Sequence, residues 1–229
     1  MNGDNSSENT AWLRDWLKGE GVSLSGTADV RPLHHLFLFS AAEIDKMDYA
    51  VSFGIRLSRS VLNGLVDRPT LLYKWHYQQA NQFLDRLAFA LTQHLMERKF
   101  RALPVPASQI VDWERHRAHL SHRTVGEAAG LGWRGRNNLL VHPQWGSQFR
   151  LVSVLTDMPL ETVQPMENRC GDCMKCVRAC PVNALGLSSA EYDLDRCHAL
   201  LSRFSKERGI GVHICGLCVK ACDGNRNNR

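Results

Sequence analysis

Eight cysteines, all in the C-terminal third of this 229-residue chain, are the residues whose type and spacing carry the most chemistry. Cys170, Cys173, Cys176 and Cys180 form a C-x2-C-x2-C-x3-C run closed by Pro181, a spacing that binds 4Fe-4S cubanes. Three thiolates on one tight loop can cap three iron corners, while the fourth, further along, points away from that cubane. Cys197, Cys215, Cys218 and Cys222 repeat the end of the pattern, with the first gap widened to 17 residues. A pair of zinc sites is the competing chemistry, but four-thiolate zinc sites normally use paired CxxC knuckles. Two 4Fe-4S clusters are the expectation.

The run is that of the two-cluster bacterial ferredoxins, whose fourth cysteine ligates the other cluster. An exchange of that kind puts Cys170, Cys173, Cys176 and Cys222 on one cluster and Cys180, Cys197, Cys215 and Cys218 on the other. No cysteine is left over.

The rest of the composition narrows the setting. Hydrophobic residues make up 44% of the chain, enough for a real core. The longest apolar runs are far too short to span a bilayer, so no membrane role is expected. The polar, acidic start from Met1 to Thr10 lacks the basic and apolar regions of a secretory signal. Clustered cysteines without such a signal point to the cytoplasm, where thiols stay reduced and bind metal. The net charge of +5 comes with no long basic run, and from Cys170 onward nine Lys and Arg face six Asp and Glu. That surplus offsets the negative charge of two thiolate-bound clusters.

Several elements must position these residues. Residues 9–21 read as an amphipathic helix with Trp12, Leu13, Trp16 and Leu17 on one stripe. Residues 22–30 and 49–57 suit strands, and residues 70–99 form a long helix with Leu72, His76, Ala80, Phe83, Leu87, Leu91 and Leu95 at core spacing. Residues 101–108, with two prolines, read as extended chain. Thr124 and Glu127 make a capping-box pattern that opens a short helix ending at Gly130 or Gly132. Residues 138–142 and 148–156 read as the two strands of a hairpin turned at residues 143–146. The fold class is α+β, with one domain over residues 1–165 and the cluster module over residues 166–229.

Between these elements lies a Gly-rich segment, AGLGWRGRNNLL over residues 129–140, followed by VLTDMPL over residues 154–160. With the double-cluster run behind it, this stretch resembles the epoxyqueuosine reductase and reductive dehalogenase group. The likeness is continuous from about Thr124 to Pro181, runs more loosely to Cys222, and includes GVSLSGTAD at residues 21–29. It implies a nitroreductase-like cobalamin-binding domain followed by a ferredoxin-like double 4Fe-4S module that feeds electrons to cobalt. It also implies that Gly132, Arg134, Gly135, Arg136, Asn138 and Leu139 help form the corrinoid pocket. Glycines permit close backbone approach, and arginines can contact amides or phosphate.

Departures from the group matter too. The expectation is a short member without the helical tRNA-binding repeats, and Cys222 is followed by Asp223 where proline is usual. The group's catalytic acid falls near Val105 or on His116, depending on where the gap is placed, and neither is a carboxylate. Residues 109–122 carry Asp112, Glu114, His116, His119 and His122 among two arginines, with Arg123 next in the chain. On a helix, histidines three apart would line one side of a pocket, with His116 as proton donor near neutral pH.

The implied function is a cobalamin-dependent iron-sulfur reductase supplied by an electron donor such as a ferredoxin or flavodoxin. Its substrate would be a small molecule or, by family, a queuosine-type nucleoside on tRNA. The alternative is a non-catalytic electron-transfer protein that reduces the cofactor of a partner corrinoid protein.

Overall fold

Two eight-residue runs rich in β-branched and aromatic residues form the central strands of the sheet. In the computed structural model, which describes residues 5–224, these are β2 (Tyr49–Arg56) and β6 (Phe149–Thr156). Both are buried almost end to end, as strands covered on two faces are. Their outer neighbours, β1 (Leu24–Asp29) and β3 (Ala102–Val105), are more exposed and give a sheet order of β1-β2-β6-β3. β1 runs antiparallel to β2 with Leu24 opposite Gly54, and β3 runs antiparallel to β6 with Val105 opposite Ser153.

The described chain folds as two units. The first consists of residues up to Ile55, Asn81–Leu131 and Arg150–Met166. Its core gathers Leu13 and Leu17 of α1 (Ser6–Gly19), Leu84, Leu87, Leu91 and Leu95 of α3 (Leu71–Glu97), and Val51, Phe53, Val152 and Val154 of the sheet. The expected stripe on α3 holds at Ala80, Leu87, Leu91 and Leu95 but not at Leu72, which is 58% exposed. Tyr73 is buried in its place. α4 (His122–Ala128) begins earlier than expected, because Ser121 is its N-cap and accepts from the Thr124 N–H at 3.3 Å.

Two further expectations are corrected. Residues 138–142 do not pair with β6; Leu140–Val141 (β5) pairs instead with Trp133–Arg134 (β4) in a separate two-stranded ribbon. The alternating pattern marked strands without naming their partners. Residues 109–121 are not a helix either. Asp112 and Arg117 bridge across a tight turn in which His116 takes a positive φ of 52°.

The second unit consists of Arg56–Ala80, Gly132–Phe149 and the chain from Glu167. The chain therefore enters this unit twice before its final passage beyond Met166, near the single boundary expected after residue 165. The unit contains α2 (Arg59–Asn63), the first turns of α3, the β4–β5 ribbon, α5 (Lys175–Arg178), α6 (Leu194–Ser205) and α7 (Leu217–Ala221). α7 packs against α5 and α2. Lys220 of α7 donates its Nζ to the Asn63 carbonyl at 3.3 Å and to the Leu65 carbonyl, at the C-terminal end of α2.

Candidate metal centre

All eight cysteines lie in the second unit as free thiols. Gly171, at φ 47°, turns the first loop so that the Cys173 N–H reaches the Cys170 carbonyl at 2.9 Å. α5 then carries Cys176 inward, where it is buried. Cys218 sits on α7, and Cys222 follows that helix directly.

The thiols fall into two neighbourhoods. Burial pushes the Cys176 thiol up to about 11, and the adjacent charges of Cys222, Cys170 and Cys173 push the same way. Burial also raises Cys215 to about 11, helped by Cys197 and Cys180. Cys218 is raised as well, by burial and then by Cys215 and Cys197, with smaller contributions from Cys176 and Cys180. One neighbourhood thus gathers Cys170, Cys173, Cys176 and Cys222, the other Cys180, Cys197, Cys215 and Cys218. Buried thiols that resist ionisation alone are deprotonated outright on metal coordination. Four soft thiolate donors per group, with no hard oxygen ligand among them, fit iron-sulfur clusters. Among the described residues no group of three or more His, Cys, Asp or Glu is arranged to hold a single metal ion.

The Gly-rich segment braces the first cysteine loop within the same unit. Arg136 donates Nη1 to the Cys173 carbonyl at 3.0 Å and Nη2 to the Gly171 carbonyl at 2.7 Å. Asn168 donates to the Arg134 carbonyl at 2.8 Å and accepts from the Cys170 N–H at 2.8 Å. Trp133, 2% exposed, donates its indole Nε1–H to the Cys170 sulfur at 3.3 Å. On the far side of the ribbon, a Cβ on Gly146 would collide with the Cys222 carbonyl. Any larger residue there would push the 143–147 loop off the cysteine that follows α7.

The six residues expected around a corrinoid, Gly132, Arg134, Gly135, Arg136, Asn138 and Leu139, all lie on this ribbon. Arg134 donates to the Asn138 side chain at 3.2 Å, Gly135 donates its N–H to the Leu139 carbonyl at 2.9 Å, and Asn138 takes φ 54°. The space left by the missing side chains of Gly132 and Gly135 is filled by the Val141 carbonyl and side chain. The ribbon thus fits a bulky cofactor only in part. The buried Nε of Arg136, which has no hydrogen-bond partner among the described residues, is a polar atom that it leaves for one.

The three histidines of residues 109–122 go different ways inside the first unit. His116 is on the tight turn, and His119 stacks on Phe39 with ring centroids 4.8 Å apart. His122 holds the Ser153 hydroxyl at 3.0 Å and the Pro106 carbonyl at 2.8 Å. Burial lowers its pKa to about 4, so it is neutral at pH 7 and donates through Nε2. They share no helix face. Trp133 and Asn168 escaped the sequence reading because their roles depend on contacts between distant parts of the chain; only the closeness of Trp133 to the glycines hinted at one.

Residues 163–186 match the 4Fe-4S binding domain family. The epoxyqueuosine reductase of Aliivibrio fischeri is 36% identical over 93% of this chain and 66% of its own length. Over most of its length the chain is similar to the epoxyqueuosine reductases. It spans 58% of the length of the Vibrio cholerae epoxyqueuosine reductase, which is 27% identical over 94% of this chain, and so covers less than two thirds of these curated relatives. Among solved structures, an epoxyqueuosine reductase crystallised with an epoxyqueuosine-modified tRNA-Tyr stem loop superposes with a TM-score of 0.64 at 22% identity, over 95% of this chain and 65% of that one. A reductive dehalogenase whose structure suggests a mechanism for B12-dependent dehalogenation gives 0.71 at 20% identity, over 88% of this chain and 30% of that one. The fold shared with these structures accounts for the mixed helices and strands and for the cysteine-rich unit.

Proposed function

We propose that the chain is a cytoplasmic iron-sulfur reductase of the epoxyqueuosine type that delivers electrons to a corrinoid. The observation that carries this reading is the gathering of the thiols into two four-cysteine neighbourhoods in a chain similar to the epoxyqueuosine reductases. Cys170, Cys173, Cys176 and Cys222 hold one cluster, and Cys180, Cys197, Cys215 and Cys218 the other. When bound, the clusters supply single electrons and the corrinoid supplies low-valent cobalt. The chain's own part is to bury the thiolates, to hold the first loop through Arg136 and Asn168, and to present the Arg136 Nε edge to a cofactor. The fold described as nitroreductase-like belongs to this proposal, as do a ferredoxin or flavodoxin donor and a queuosine-type nucleoside on tRNA as substrate.

Anaerobic purification followed by iron, sulfide and zinc assay tests the clusters; about eight irons per chain is expected, and stoichiometric zinc would overturn them. Loading with hydroxocobalamin, desalting and recording the visible spectrum then tests the corrinoid. About one retained per chain is expected from a single pocket, and none retained would overturn that part alone.

A further inference from the structure

The side-chain hydrogen bonds that reach the cysteine sulfurs are divided by origin. Residues 132–149, inserted into the cysteine unit from the middle of the chain, send theirs to Cys170 and Cys222. Trp133 donates its indole N–H to the Cys170 sulfur at 3.3 Å. The Ser147 side chain reaches the Cys222 sulfur, and its N–H donates to the Cys222 carbonyl at 3.2 Å. Asn137 donates to the Ser147 oxygen at 3.0 Å, which leaves the hydroxyl proton free for sulfur. All three side chains are at most 4% exposed. The cysteine-rich chain itself supplies the Tyr192 side chain to Cys197, the Ala184 N–H to Cys180 at 3.3 Å, the Leu217 N–H to Cys215 and, through backbone alone, the Gly224 N–H to Cys222.

A donor pointed at a thiolate sulfur stabilises the added negative charge of the reduced cluster more than the oxidised one, and so raises its reduction potential. The effect is stronger where water is excluded. We propose that Trp133 and Ser147 are positioning residues that set the potential of the cluster on Cys170, Cys173, Cys176 and Cys222, while Tyr192 acts on the other cluster alone. The inference rests on the ligand sets proposed above and adds to them a residue-by-residue division of tuning. It gives the β4–β5 ribbon a role that its braces on the loop carbonyls do not require.

The test is an anaerobic redox titration of the full-length, cluster-loaded protein, followed by electron paramagnetic resonance. Trp133→Phe and Ser147→Ala should each lower one midpoint, the same one, and leave the other in place. Tyr192→Phe should lower only the other. In deuterated buffer, the exchangeable-proton coupling of one reduced cluster should weaken in Trp133→Phe, a signature that a purely structural role would not move. Unchanged midpoints at full iron content in Trp133→Phe and Ser147→Ala would overturn the proposal. So would Tyr192→Phe and Trp133→Phe shifting the same cluster. If Trp133→Phe sheds iron, Ser147→Ala decides. Failure of the ligand sets has a different mark: the unsubstituted protein would not hold about eight irons.

Discussion

The two units of this chain are stabilised in different ways. The first surrounds a sheet with apolar side chains from α1 and α3, and twelve Lys and Arg face fourteen Asp and Glu among its described residues. The second has short helices, of four residues in α5 and five in α7, joined by left-handed turns at Gly171, Asn183, Gly209 and Gly216. Among its described residues it carries fourteen Lys and Arg against eight Asp and Glu. Helices this short do not stand alone. The charge surplus and the buried thiols become reasonable once anionic clusters sit among them. One unit is stable through its core, and the other depends on what it binds.

Stripping the iron should therefore break the comparison most severely. Removal of the clusters by chelator and oxidant should collapse amide protection across residues 167–224, because metal binding in such modules is folding free energy. The sheet amides of β2 and β6 should keep theirs in the same hydrogen-exchange experiment. Equal loss in both units would refute the idea that only one depends on its cofactor. The converse experiment truncates the core of the first unit. Leu91, fully buried, should cost about 2–5 kcal/mol as Leu91→Ala. Calorimetry should show the drop in melting temperature while iron content stays unchanged.

Acid should also act on the first unit. His122 has its folded pKa lowered to about 4 against an ordinary 6.5, so the unfolded chain takes up its proton first. Its contribution is complete above pH 6.5 and is lost as the pH falls from there toward 4. The full span is worth about 3 kcal/mol. Denaturant unfolding between pH 7 and 4.5 should show this slope, and His122→Gln should flatten it.

What the sequence disclosed follows the range of the interactions. The cysteine run could be read because its ligands are close in sequence and its spacing is set by the metal group itself. The long helix and the central strands could be read because hydrophobic periodicity is local. The partner of β5 could not, since an alternating run does not state which strand it meets. The turn at residues 109–121 was missed because its histidine spacing imitates a helix face while Asp112 closes the turn by accepting from the Glu114 and Arg115 N–H groups. The ribbon showed its glycines plainly, but Gly132 and Gly135 make room for Val141 as well as for any ligand.

Smaller effects sharpen the comparison inside the second unit. Arg136→Ala removes two charge-assisted bonds to the carbonyls of Gly171 and Cys173 and should cost about 1–3 kcal/mol. The loss should appear as faster iron release to a chelator, because the loop those carbonyls belong to carries three of the four ligands of one cluster. Asp223 offers the contrast. It pairs with Lys175 at 3.1 Å, but the lysine side chain is 41% exposed, so Asp223→Asn should cost no more than about 1 kcal/mol. Salt should mask even that. If Asp223→Asn instead released iron as quickly as Arg136→Ala, the pair would be acting as a latch between α5 and the chain after α7. Cluster retention would then depend on closing the end of the unit as much as on bracing its first loop.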